Sequence, residues 1–254
     1  MSFFDLGENQ KAFEYINISI QTKKKLYGNI DHPDLANTLN NIGILFANKG
    51  LTDKALNFFV DSLEMKKRIY GHIDHPDIAN TLNNIGITFS DLLQFEKALE
   101  FYEKSYRMKQ RLYHNKCHPD LANTLNNIGV TFSYLRKHEE ALRYYKKSYK
   151  LKKKLYGNID HPDLANTLNN IGITYFDLGE KNKAFNFIQK SIEMRKNYFC
   201  EDDNHLNTFK SYGIILENKN ITEKTTYLSQ QEERKRKYED KDFLGKIIRP
   251  LTYY

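Results

Sequence analysis

HPDLANTLNNIG occupies His32–Gly43, and the same twelve residues return at His118–Gly129 and at His161–Gly172. A fourth version, HPDIANTLNNIG, fills His75–Gly86 with Ile78 as its single change. The copies begin at His32, His75, His118 and His161, so the period is 43 residues each time. Self-similarity at a period of ~20–50 residues marks a solenoid, because a unit that small has no core of its own and must bury its apolar face against its neighbours.

Positions within the unit are counted from the alanine of each phrase, Ala36, Ala79, Ala122 and Ala165. In the second copy Leu82, Ile85, Gly86 and Phe89 stand at positions 4, 7, 8 and 11, a single helical face. Ala98, Tyr102 and Ser105 follow at positions 20, 24 and 27, one face of a second helix. The break near residues 90–94 predicts a tight antiparallel hairpin. Gly86 and Ala98 lack bulk where the two helices must approach, and Phe89 and Tyr102 fill the space beside them. The other units repeat this grammar: the glycine is Gly43, Gly129 and Gly172, the alanine Ala55, Ala141 and Ala184. The position-11 aromatic is Phe46, Phe132 and Tyr175, and the small position-27 residue is Ser62, Ser148 and Ser191.

HPD opens each first helix. His takes the cap, Pro the first helical position, where its missing N–H costs nothing, and Asp34, Asp77, Asp120 and Asp163 face the positive helix end. Recurrence in register makes the tripeptide architectural, not catalytic. His114, Cys117 and His118 have a spacing that could hold a metal, but with no fourth ligand and no counterpart in the sister loops no metal site is expected. No phosphate loop, nucleophile elbow or carboxylate pair interrupts the grammar, so neither an enzyme nor a cofactor is expected.

The apolar fraction is 40% and the mean hydropathy −0.71, which suits a thin, exposed helical array with no membrane span. Cys117 and Cys200 are the only cysteines, and both are expected as reduced thiols of a cytosolic protein. The formal charge of +7 favours acidic partners. Much of it sits in short runs, Lys23-Lys24-Lys25, Lys66-Lys67-Arg68, Lys109 with Arg111, and Lys152-Lys153-Lys154. These read as solvated cations complementing helix C-termini, with a nucleic-acid patch as the rival reading.

The face opposite the core of each first helix comprises positions 2, 6, 9 and 13. It carries Asn37, Asn41, Ile44 and Asn48; Asn80, Asn84, Ile87 and Asp91; Asn123, Asn127, Val130 and Tyr134; Asn166, Asn170, Ile173 and Asp177. Asn40, Asn83, Asn126 and Asn169 flank it at position 5. Asparagine is a mediocre helix former, so its recurrence here calls for a reason. One is a groove in which amides bond an extended peptide over an Ile/Val floor. The other is that the Asn rows bond to one another between repeats, or survive from duplication.

The leucine-glycine-aromatic series followed by alanine and an aromatic resembles the tetratricopeptide repeat. Leu39, Leu82, Leu125 and Leu168 stand where that family usually has tryptophan, and the chain has no Trp. The 43-residue unit with HPD and LNN looks like the repeats of kinesin light chains and of nephrocystin-3-type scaffolds. The resemblance covers residues 12–198 and implies an all-α, right-handed superhelical solenoid whose first helices line a concave surface. It implies a non-enzymatic adaptor that binds peptide segments of other proteins, in the cytoplasm and, for the kinesin branch, near microtubules. In kinesin light chains that surface takes acidic cargo peptides. Carried over, Asn37, Asn41, Asn80, Asn84, Asn123, Asn127, Asn166 and Asn170 would touch cargo, although this face is nearly neutral and Asp91 and Asp177 oppose acid. A kinesin heavy chain would join only through heptads upstream of Met1; a general scaffold with no motor is the alternative.

The expected organisation is a partial repeat at 1–30 holding only a second helix, full repeats at 31–73, 74–116, 117–159 and 160–202, and a degenerate capping helix with a charged tail at 203–254. The opening FFDLGENQKAF resembles YFDLGEKNKAF at Tyr175–Phe185, so the chain is expected to enter near the end of a first helix, as a truncated array.

Overall fold

A computed structural model of the chain describes residues 3–28 and 30–199. The expected capping helix and tail at 203–254, and Cys200, lie outside them. The described elements are all helical: α1 (Phe3–Tyr27), α2 (Pro33–Asn48), α3 (Thr52–Tyr70), α4 (Pro76–Asp91), α5 (Phe95–Leu112), α6 (Pro119–Tyr134), α7 (His138–Tyr156), α8 (Pro162–Asp177) and α9 (Lys181–Phe199). They fall into two units that divide between Leu92 and Leu93. In the first, α2 packs against α3, α3 against α4, and α1 against α2. In the second, the same sequential packing runs from α5 through α9. α1 runs unbroken through Gly7, so the turn expected there between a first and a second helix does not form.

The HPD cap forms as the sequence dictates. His32, His75, His118 and His161 are extended, and each Nδ1 accepts the amide N–H of the Asp two residues on, at 3.1–3.2 Å. Each ring stacks on the tyrosine that ends the preceding helix, with Tyr27, Tyr70, Tyr113 and Tyr156 centroids 3.6–3.8 Å away. The hydroxyls of Tyr27, Tyr113 and Tyr156 donate to the same aspartates, at 2.8–3.0 Å. Burial, with the carboxylate as a second cause, pushes the Tyr113 and Tyr156 hydroxyls up to about 12. A cap, a ring stack and a side-chain bond thus fix the entry angle of each first helix.

Within a hairpin the small residues let backbone meet side chain. A Cβ on Gly43 would stand 2.7 Å from the Phe59 ring, and one on Gly129 2.7 Å from Tyr145. Ala55, Ala141 and Ala184 are fully buried at the matching contact on the second helix. The position-27 serines are small for a further reason. Ser62, Ser148 and Ser191 donate to the carbonyls of Ala36, Ala122 and Ala165 at 2.6–2.7 Å, joining the two helices of each hairpin. Position-11 aromatics stack on position 23: Phe46 on Phe58, Phe132 on Tyr144 and Tyr175 on Phe187, at 5.2–5.5 Å.

The hairpin turn needs a left-handed residue at position 15. Gly50 and Gly179 supply it at φ 74° and 79°, but Arg136 holds φ 60° with a side chain attached. Left-handed backbone costs a non-glycine residue roughly 1–2 kcal/mol, of which glycine's looser unfolded state returns a part. Arg136→Gly is therefore expected to stabilise the chain by about 0.5–1 kcal/mol in urea unfolding. Gly129→Ala should do the opposite. The buried Tyr145 ring has nowhere to move, and overpacking of this kind costs about 1–3 kcal/mol; an unchanged urea midpoint would refute the close contact.

Candidate peptide-binding face

The polar residues that the helical pattern leaves over are arranged by one buried group. Lys66, Lys109 and Lys152, near the ends of second helices, are only 2–3% exposed. This corrects the reading of the lysine runs as solvated throughout: Lys67, Arg68, Lys153 and Lys154 stay in water, but one lysine of each of these runs turns inward. The Lys66 ammonium lies 2.9 Å from Thr81 Oγ1 and 3.4 Å from the Asp77 carbonyl. Lys152 meets Thr167 and the Asp163 carbonyl, both at 3.2 Å, and Lys109 meets Thr124 at 3.2 Å. Burial pulls all three ammonium pKa values down, while Asp77, Asp120 and Asp163 respectively pull them up. A lysine at a helix end reads as solvated from composition. The missed signal was a threonine fixed at position 3, beside the apolar stripe, always fifteen residues after a lysine.

That threonine carries the arrangement across to the next first helix. The Thr81 hydroxyl donates to the Asp77 carbonyl at 2.8 Å and lies 3.2 Å from Asn40 Oδ1, which accepts from Asn84 Nδ2 at 3.2 Å. In the second unit Thr167 and Asn170 both reach Asn126 Oδ1, at 3.4 Å. The flanking position-5 asparagines therefore have a structural duty that the sequence reading left open. They tie α2 to α4 and α6 to α8, and they hold Asn84 and Asn170 in place.

The predicted face residues divide by exposure. Asn41, Ile44, Asn48, Asn80 and Ile87 of the first unit are exposed, as are Asn123, Asn166 and Asp177 of the second. Asn37, Asn84, Asp91, Asn127, Val130, Tyr134, Asn170 and Ile173 are half-buried. Several have partners within the fold. Val130 packs against the core cluster around Tyr145 and Ile171, and Tyr134 stacks on Phe95 at 5.3 Å. Asn166 accepts from Arg195 of α9. Asp177 is exposed, yet the protein beside its carboxyl pushes its pKa up against the pull of His138 and Arg136. Ile44 and Ile87 remain 38% and 37% exposed, unusual for aliphatics at the middle of a helix face.

Two models, each described as a tetratricopeptide repeat, match residues 1–68 with 120–197, and 78–120. The chain belongs to the tetratricopeptide repeat family. Among solved structures it is similar to BtubC (BKLC) from P. vanneervenii, at 23% identity and a TM-score of 0.66, over 79% of this chain and 78% of that one. It is also similar to a protein from Podosopora anserina provisionally assigned as a kinesin light chain with nearly identical TPR-like repeats. There the identity is 13% and the TM-score 0.61, over 78% of this chain and 92% of that one. At these identities the likeness shows the fold. No curated protein matches the chain in sequence. Tetratricopeptide repeats serve protein–protein interaction, and no helix among the described residues is long and apolar enough to cross a membrane.

The buried lysine makes a sharp distinction between two substitutions. Thr167→Val keeps the volume but strips the Lys152 ammonium of a hydrogen-bond partner, and is expected to cost about 1–3 kcal/mol in urea unfolding. Lys152→Met removes the charge together with its demand and should cost less, since replacing a buried charge by a matching apolar group is often neutral. The reverse order would show that the ammonium is solvated.

Proposed function

We propose that this tetratricopeptide chain is a non-enzymatic adaptor that binds an extended peptide of another protein along the asparagine-bearing faces of its first helices, as a kinesin-light-chain-like cargo domain. One observation carries the reading: exposed amides lie on the same helix face as an exposed aliphatic floor, Asn41 and Asn80 with Ile44 and Ile87. An extended peptide brings unpaired N–H and C=O groups, and an amide side chain answers both. Its apolar side chains would meet the two isoleucines. Asn84 strengthens the case, because Asn40 already holds its Nδ2 and leaves Oδ1 as an oriented acceptor. Binding to a held amide orders less than binding to a free one.

The kinesin-light-chain version is supported by the 43-residue unit with its HPD and LNN elements. The face is close to neutral, and Asp91 and Asp177 disfavour acidic cargo, so the expected ligand is recognised through its backbone and small apolar side chains.

A peptide-display screen against the purified chain supplies ligands without assuming a family. For a selected peptide, the pair Asn41→Ala and Asn80→Ala removes two hydrogen bonds of about 0.5–1.5 kcal/mol each. Affinity by fluorescence anisotropy is then expected to fall about 5- to 150-fold, with far-UV helicity unchanged. Undiminished affinity for every selected peptide would place the site elsewhere.

A further inference from the structure

The net positive charge of the molecule is not evenly spread. Residues 93–199 hold 20 Lys and Arg against 11 Asp and Glu, whereas residues 1–92 hold 9 against 11, so the excess lies wholly in the second unit. Within that unit α7 is the focus. Arg143, Lys146, Lys147, Lys150, Lys153 and Lys154 are all exposed. Their spacing of three, one, three, three and one residues places all six on one stripe of the helix, about 16 Å long at ~1.5 Å per residue.

The stripe works against the helix that bears it. Arg143 with Lys147, Lys146 with Lys150, and Lys150 with Lys154 are like-charged pairs one turn apart, an arrangement that destabilises a helix. The sister helices avoid it at the same positions. On α5 they read Glu100, Glu103, Lys104, Arg107, Gln110 and Arg111, and two ion pairs neutralise them: Glu100 with Lys104 at 2.5 Å and Glu103 with Arg107 at 2.6 Å. On α9 they read Asn186, Gln189, Lys190, Glu193, Lys196 and Asn197. None of the six α7 cations has a carboxylate partner among the described residues. Glu139 and Glu140 stay in the first turn, beside the positive helix end. What holds these cations is aromatic or neutral: Arg143 and Lys147 over Tyr144, Lys146 over Tyr175, and Lys153 on Asn158.

We propose that this stripe is a second docking surface, distinct from the asparagine faces, and that its partner is an acidic polypeptide segment. Charge complementarity names the sign of the partner, and two features select its class. The stripe offers no open ring for base stacking, because Tyr144 is covered by two cations and stacked on Phe132. Nor does α7 expose a large apolar side chain to enter a bilayer. A run of Glu and Asp carboxylates needs neither.

The test uses the full chain and a fluorescein-labelled twelve-residue polyglutamate. Anisotropy at low and at physiological salt should show binding that weakens as salt rises. The triple substitution Lys147→Gln, Lys150→Gln and Lys154→Gln should weaken it at least tenfold. The same number of changes at Lys67, Lys190 and Lys196 should alter it less than threefold. Because the α7 triple removes like-charge repulsion, its thermal midpoint should hold or rise, which separates lost binding from lost fold. Equal losses in both triples would overturn the proposal, as would unchanged binding in the first. A single-stranded oligonucleotide or phosphatidylserine vesicles binding more tightly than polyglutamate, with the same dependence on α7, would overturn the choice of partner.

Discussion

A lysine ammonium withdrawn from water is the constraint around which the contacts of α3 with α4, α5 with α6 and α7 with α8 are organised. Removing a charge from water costs several kcal/mol unless the site returns its hydrogen bonds. Lys66 and Lys152 each recover a threonine hydroxyl and a helix-start carbonyl, with an aspartate close enough to offset part of the burial. Such an arrangement tolerates little sliding, because displacement of the next helix would leave an unpaired cation. Apolar packing between helices is more permissive. The lysine therefore contributes registration more than adhesion, and threonine transmits that registration to asparagine on the neighbouring first helix.

The same chain of contacts explains why the asparagine face is orderly without being used up. Asn40 Oδ1 and Asn126 Oδ1 accept from the next asparagine and lie 3.2 and 3.4 Å from the threonine hydroxyls, so these two position-5 residues are committed to the fold. Positions 2 and 6 then fall outward at a spacing set by the repeat. Bonding between repeats thus engages position 5 together with Asn84 and Asn170 of position 6, whereas Asn41, Asn80 and Asn123 stay exposed.

What the sequence made legible was whatever depended on period. Helix positions, the small-residue contact at Gly43 and Gly129, and the histidine caps follow from spacing and from the stereochemistry of Pro, Gly and His. The inward lysines were not legible, because burial of a long side chain depends on which way it turns at the end of its helix, and Lys66 and Lys67 look alike in a composition. Tyr134 escaped for a similar reason. Its position faces away from its own hairpin core, but Phe95 lies close enough to stack on it. Whether an outward residue meets solvent or a neighbouring ring is decided by packing that no local pattern records. Arg136 shows a third limit: the turn requires a left-handed residue, and sequence alone gave no sign that arginine would be forced to supply it.

Near-identical copies make their differences informative. Positions 1, 3, 8 and 27 hold the same or an equally small residue in every unit, because each meets a buried partner. The six α7 cations stand exposed to solvent, so burial places little limit on which side chain occupies those positions. Folding alone would favour alternating charges there, as α5 shows with its paired glutamates. The uniform sign on α7 departs from that optimum, with aromatic rings in place of carboxylates beside three of its cations. The asparagine faces and the α7 stripe also differ in the physics they offer. Uncharged amides recognise a backbone through short, directional contacts that salt barely affects, whereas six lysine and arginine charges act over a Debye length of ~8 Å and fade as salt rises. A ligand suited to one surface is therefore poorly suited to the other.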